Sequence, residues 1–309
     1  ISIMNIIPLF SLLFLSTSYA RINEYKPLLN HNDYRIIHSN DIDLPQSWNW
    51  GNISNVNYLT KNLNQHIPQY CGSCWAHGAV SALGDRIKIS RKSNGPDINL
   101  AVQYLLNCGT AGTCNGGDHL AAYKYIHETS IPYDTCLTYE ACSSDSSEQA
   151  CNNRNFECSN ENICRTCNTF ASNGGKCTAI TRYPNVSISS FGMVSGVSDI
   201  MSEIYKNGPV ACGINANKIL DYTGGIMDVP HDLKIIDHII SIVGWGYDEK
   251  LDKQYWIIRN SWGEYWGERG FMRLVAGENQ LGTEKSCAWA IPETWTDINY
   301  PCFEDGSNC

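Results

Sequence analysis

Fifteen cysteines in a chain of 309 residues constrain the fold more than any other feature of the sequence. Residues 1–20 carry a short apolar run, Ile6 to Leu15, that ends at Ser18-Tyr19-Ala20. The run is too short to span a bilayer, and the small-x-small ending reads as a secretory signal peptide. Cysteines carried into an oxidising compartment form disulfides, so a crosslinked framework is expected. An odd number leaves one thiol over if the rest pair, which favours a single free, reactive cysteine. Zinc is the competing use, and Cys164-x-x-Cys167 has a ligand-like spacing. An oxidising lumen disfavours that use, so no metal and no cofactor is expected.

The formal net charge is -9. A field of that sign argues against nucleic acid or anionic lipid as the main partner. With 43% apolar and 17% charged residues, the chain can bury a real core. No later run approaches 18 apolar residues, so no membrane span is expected.

Residues 21–43 are polar and lack both an apolar period and cysteine, as suits a short propeptide or an exposed arm. Aromatic residues at Leu44-Pro45-Gln46-Ser47-Trp48-Asn49-Trp50 open the packed domain. From Cys74 onward, Ala76, Ala79, Val80, Leu83 and Ile87 mark one face of a long helix. Helices are expected again over Ile98 to Asn107 and His119 to Glu128. Residues 129–180 hold seven cysteines with many Ser and Asn, a loop region held by disulfides rather than by a core. Ser198 caps an expected helix through Lys206, closed by Gly208-Pro209. Strands follow at Val210 to Ile214, Ile239 to Val243, Tyr255 to Ile258 and Phe271 to Val275. The expectation is an α+β fold with a cleft between a mainly helical half, about 44–195, and an antiparallel β half, about 196–287. Residues 288–309 form a tail apart from it.

Cys74 stands at a helix N-terminus, where the partial positive charge favours a thiolate. A cysteine nucleophile needs a base and a group that orients the base. His238 precedes an apolar strand, and Asn260 ends another just before Trp262, so both suit those roles. Each alone is also an ordinary structural residue. Cys71-x-x-Cys74 is formally a thiol–disulfide exchange motif, which leaves an oxidoreductase as the alternative of a different class.

Gln65, Cys71-Gly72-Ser73-Cys74-Trp75, Cys114-Asn115-Gly116-Gly117, Asp237-His238 and Asn260-Ser261-Trp262-Gly263 occur here in one order. In that order they resemble the papain-like cysteine peptidases from about Leu44 to Cys287. The resemblance implies Cys74 as nucleophile, His238 as base and Asn260 as its orienting residue. The Gln65 side chain and the Cys74 backbone N–H would form the oxyanion hole. Gly116 and Gly117 would line the extended substrate, and Trp262 would cover the His–Asn pair. It also implies disulfides Cys71–Cys114, Cys108–Cys158, Cys136–Cys164, Cys167–Cys177 and Cys212–Cys287. Cys142 with Cys151 and Cys302 with Cys309 would be additional local pairs, and a non-catalytic binding module is disfavoured because all three catalytic side chains are present.

The segment His66-Ile67-Pro68-Gln69-Tyr70 lengthens the usual gap before the first cysteine of the signature by three residues. In this it is similar to the cathepsin X branch of the family. A stiff loop there walls off the leaving-group side of the cleft, with Pro68 fixing one φ. His66, when protonated, would pair with a substrate's free α-carboxylate, and Tyr70 would line the same end. A carboxypeptidase acting on peptides and proteins with a free C-terminus is thus expected, with an endopeptidase as the alternative. Because the reference pKa of histidine is about 6.5, clamping would weaken as pH rises through the His66 titration. The remaining expectations are a monomer in the lysosome or outside the cell, with acceptor sites for glycans at Asn52 and Asn185. One departure stands out: that branch caps its nucleophile with a propeptide cysteine, and residues 21–43 have none.

Overall fold

Helix α1 (Cys74–Ser90) is the axis about which the protein is built. The computed structural model describes residues 23–36, 43–169, 175–232 and 234–309; the expected signal peptide lies outside them. Sequence periodicity predicts one apolar face for α1, yet every residue from Cys74 to Ile87 is buried. Its polar side chains are therefore paired inside the protein. Asp85 bonds Arg259 at 2.5 Å, and Arg86 bonds Glu203 at 2.8 Å while donating to the Pro209, Gly208 and Ala290 carbonyls. Pairing of this kind is what makes buried charges tolerable. Gly78 lets the helix press on the sheet, since a Cβ there would meet Ile239 Cγ2 at 2.8 Å.

Helices α2 (Val102–Cys108) and α3 (His119–Thr129) pack beside α1 in the first core. The expected start of α2 at Ile98 is corrected: Leu100 bridges to Tyr133, and the Ala101 N–H bonds the Pro132 carbonyl, which holds this stretch extended. Asp118 caps α3 by accepting the Leu120 N–H at 2.8 Å. Helix α4 (Val197–Asn207) begins one residue before the expected cap Ser198, with Gly196 at the cap position.

Among the described residues the main sheet has nine strands. Its long members are β1 (Asn185–Val194), β2 (Val210–Ile214), β3 (His238–Asp248), β4 (Lys253–Arg259), β5 (Phe271–Val275) and β6 (Cys287–Trp295), in spatial order β1-β6-β2-β3-β4-β5. These pairings are all antiparallel. The sheet encloses the second core, with Trp245, Trp256, Ile258 and Leu274 inside.

At the end of the half expected to be mainly helical lies β1, with Val186 and Ile188 buried on either side of the half-buried Ser187. The boundary drawn at Cys287 cuts through β6, whose residues through Trp295 pair with β1. The rest of the tail docks on the disulfide-rich region: the Thr166 hydroxyl donates to the Glu304 carbonyl at 3.0 Å, and Arg182 lies 4.2 Å over the Tyr300 ring.

Candidate active site

Three elements end at one place. Cys74 is the first residue of α1, His238 the first of β3, and Asn260 follows the last residue of β4. All three are buried. Among the described residues Cys74 is the cysteine outside a disulfide. Cys71 is bonded to Cys114, so it is no exchange partner for Cys74. Pairs also form between Cys108 and Cys158, Cys136 and Cys164, Cys142 and Cys151, Cys167 and Cys177, Cys212 and Cys287, and Cys302 and Cys309.

His238 Nε2 lies 2.9 Å from Asn260 Oδ1. A carboxamide oxygen only accepts, so Nε2 carries a proton and Nδ1 faces the thiol. Trp262 covers this pair with its ring centre 4.9 Å from that of the imidazole. Gln65 is fixed from three sides. Its N–H donates to the Ser261 carbonyl at 2.8 Å, its Oε1 accepts the Ser261 hydroxyl at 2.7 Å, and its carbonyl accepts the Tyr139 hydroxyl at 2.7 Å. With Oε1 occupied, Nε2 points into the cleft as a donor. Ser261 and Tyr139 are supporting residues that sequence reasoning missed, because neither lies in a motif that names its partner. His77, buried one turn into α1, belongs to the same scaffold. Its Nδ1 lies 3.0 Å from the Ser73 carbonyl, and burial lowers its pKa to about 4.

The loop after Gln65 closes one end of the cleft. His66 stacks on Tyr70 with ring centres 4.9 Å apart and lies 6.4 Å from Trp262. Beneath the loop, Gln69 Nε2 donates to the Ala141 carbonyl at 3.1 Å and faces the Cys142–Cys151 bridge. The extra disulfide, whose purpose the sequence does not reveal, therefore braces the loop from below. At the other side Gly116 and Gly117 form a short strand against Gly112 and Thr113.

The cleft is occupied by residues of the arm. The Glu24 N–H donates to the Asp237 carbonyl at 3.1 Å, the Gly117 N–H to the Glu24 carbonyl at 3.0 Å, and the Lys26 N–H to the Gly117 carbonyl at 2.9 Å. The Glu24 side chain, 3% exposed, lies among Cys74, His238 and Gln65. Its Oε2 lies 3.1 Å from both Gln65 Nε2 and His238 Nδ1, and its Oε1 accepts the Tyr70 hydroxyl at 2.8 Å. Burial pushes the Glu24 pKa up, but the contact with His238, helped by Tyr70 and the charge of His66, outweighs it and holds the pKa at about 2. No sequence signal marks Glu24 as a site residue.

A carboxylate oxygen of Glu24, Cys74 Sγ and a ring nitrogen of His238 lie within 4.8 Å of one another. Sulfur, nitrogen and oxygen are donors that zinc accepts. Here Glu24 is already held by Gln65 and Tyr70, which is the setting of an anion rather than of a metal ligand. Of the two expected glycan acceptors, Asn52 is exposed, whereas Asn185 is half-buried and donates to the Tyr183 carbonyl at 3.1 Å. Among the described residues no helix is long and apolar enough to cross a membrane.

Residues 44–291 match the papain family of cysteine proteases. The chain is 44% identical over 258 residues to Cathepsin Z of Onchocerca volvulus, covering 81% of this chain and 78% of that protein. Its fold is similar to that of digestive procathepsin L2 proteinase from the larval midgut of Tenebrio molitor. The TM-score is 0.66 at 21% identity, over 87% of this chain and 78% of that one. It is also similar to the bromelain protease of Ananas comosus in complex with the E64 inhibitor, with a TM-score of 0.58 at 24% identity, over 80% and 99% of the two chains.

Proposed function

The chain belongs to the papain family of cysteine proteases, and from that premise we propose that it is a cysteine-type carboxypeptidase acting on peptides and proteins with a free C-terminus. One observation carries the specificity. The end of the cleft beside Cys74 already holds a carboxylate, that of Glu24, which accepts the Tyr70 hydroxyl and feels the charge of His66. The loop bearing His66 and Tyr70 closes that end, so a substrate has room for its last residue and little beyond it. A free terminal carboxylate is the group that the Tyr70 hydroxyl and a protonated His66 of that loop would receive.

In this reading the Cys74 thiolate attacks the carbonyl of the last peptide bond. The Gln65 amide and the Cys74 backbone N–H stabilise the resulting oxyanion. His238 gives its Nδ1 proton to the departing amino group, the C–N bond breaks, and a thioester to Cys74 remains. Water, deprotonated by His238, then attacks the thioester and releases the shortened peptide. Asn260 keeps the imidazole in one tautomer throughout, with Trp262 shielding that hydrogen bond from water. Gly116 and Gly117 hold the substrate's backbone, much as Gly117 now holds the arm. The site is complete within one chain, which suits a monomer. Seven disulfides among the described residues suit a protein of the secretory route, in the lysosome or outside the cell.

Product masses test the reading. Matched peptides with free and amidated C-termini, digested at pH 5, are expected to diverge. The free peptide loses residues stepwise from its C-terminus while the amide persists, and Cys74→Ser abolishes the activity. Internal cleavage of both peptides would place the enzyme among the endopeptidases.

A further inference from the structure

One turn of the disulfide-rich region, Tyr139 to Cys142, underlies the loop from His66 to Tyr70. At the loop's start the Tyr139 hydroxyl lies 2.7 Å from the Gln65 carbonyl and 2.7 Å from the Ser73 hydroxyl. Toward its end Ile67, Pro68 and Tyr70 are exposed, whereas the Gln69 side chain reaches into the body. Its Nε2 donates to the Ala141 carbonyl at 3.1 Å. The same nitrogen lies 2.7 Å from each sulfur of the Cys142–Cys151 bridge, and sulfur is a weak acceptor. Cys71, which follows the loop, is bonded to Cys114, whose N–H donates to the Ser143 hydroxyl at 2.9 Å. The loop is thus referred to this one turn at its start, near its end and just beyond it.

The turn is itself fixed from the body. Gln103 of α2, 1% exposed, brackets it: Nε2 donates to the Cys142 carbonyl at 2.8 Å, and Oε1 accepts the Glu140 N–H at 2.9 Å. Between those two bonds Ala141 is fully buried with φ 53°, a left-handed conformation that its surroundings must impose on a residue with a Cβ. The carbonyl of this constrained residue is the one that Gln69 meets. The bridge, with a sequence separation of 9, ties the chain that follows back onto the same turn.

Resting on the carboxypeptidase reading above, the geometry points to Gln69 as a specificity-determining positioning residue, seated on Ala141 and the Cys142–Cys151 bridge. It touches no substrate. It acts through the loop, fixing how far His66 and Tyr70 stand from Cys74 and so how many residues fit beyond the cut. With the seat intact the leaving group is a single amino acid. With the seat lost the loop moves outward between its ends, and the cleft admits a dipeptide or an amidated residue as leaving group.

The test compares the full chain with Gln69→Met and with the double variant Cys142→Ala and Cys151→Ala, on peptides with free and amidated C-termini at pH 5. Methionine keeps an unbranched side chain of similar length and removes the N–H donor. Rates are taken per Cys74 thiol that iodoacetamide titrates, and product masses give the ratio of one-residue to two-residue removal. In Gln69→Met that ratio, and the kcat/KM preference for the free over the amidated peptide, should each fall by about threefold to tenfold, the effect of losing one hydrogen bond. The loss should lie in a raised KM for the free peptide with kcat little changed. The double variant should shift both ratios in the same direction, and adding Gln69→Met to it should change them little further, because both act on one seat. Stepwise trimming by the parent with both ratios unchanged in the variants, even at lower turnover, would overturn the role of Gln69 and leave the carboxypeptidase reading standing. Internal cleavage of both peptides by the parent would refute that reading, and the role of Gln69 with it.

Discussion

Two carboxylate–histidine pairs join the arm to the body, and they have opposite polarity. Beside Cys74 the arm supplies the acid, Glu24, and the body the imidazole, His238. At the start of α3 the body supplies the acid, Asp118, and the arm the imidazole, His31. Asp118 keeps other work when the arm leaves, because it accepts the Leu120 and Ala121 N–H groups as the cap of α3. Glu24 accepts from three body side chains, Gln65, Tyr70 and His238, of which Gln65 also donates to the Cys71 carbonyl. An acid in the body is a permanent structural anion, whereas an acid in the arm is exchangeable. The exchangeable one sits beside the loop that we propose reads a substrate carboxylate.

The comparison breaks most readily at Asp118. Asp118→Ala removes a helix cap and leaves buried N–H groups without an acceptor, so it should destabilise the whole chain by about 1–3 kcal/mol, read as a lower urea midpoint. Glu24→Ala should leave the body's midpoint within about 0.5 kcal/mol, since its donors then meet water. Equal losses from the two variants would mean that both acids are structural.

A smaller effect appears in the pH dependence of the arm. Bound Glu24 titrates at about 2 against an ordinary value of 4.5. A depressed value means that ionisation favours docking: the contribution is complete above pH 4.5 and is lost as pH falls toward 2. The groups facing Glu24 are His238, Tyr70, Cys74 and, by its charge, His66. To separate Glu24 from these, the Asn23–His31 peptide is compared with its Glu24→Gln version. Their ratio of dissociation constants should be flat from pH 6 to 5 and shrink by roughly tenfold per pH unit well below pH 4.5. A ratio already collapsing at pH 5.5 would show that mild acid weakens the Glu24 contact.

The residues proposed as catalytic are legible because each sits in a local motif or at an element's end, where its neighbours announce it. Cys74 opens a helical period, and His238 and Asn260 flank strands whose alternation is plain. Less legible were features set by distant partners. Glu24 lies 214 residues from His238 in sequence, and nothing in the polar arm around it has a period. Strand β1 hides behind a cysteine-rich region, and its exposed Ser189 and Ser190 interrupt the apolar alternation. Strand β6 was split from its own continuation because the resemblance stops near Cys287 while the β1 pairing does not. Helix α1 reads as amphipathic although it is central, since Asp85 and Arg86 find partners that no local pattern reveals.

The central claim is that the loop from His66 to Tyr70 reads a free carboxylate. It is tested most directly by kcat/KM for one peptide with a free and an amidated C-terminus, measured at pH 5 in the active enzyme and its His66→Ala variant. The account predicts a strong preference for the free terminus in the parent, reduced by about tenfold or more in the variant, with the amide's rate little changed. A preference that survives His66→Ala undiminished would contradict it.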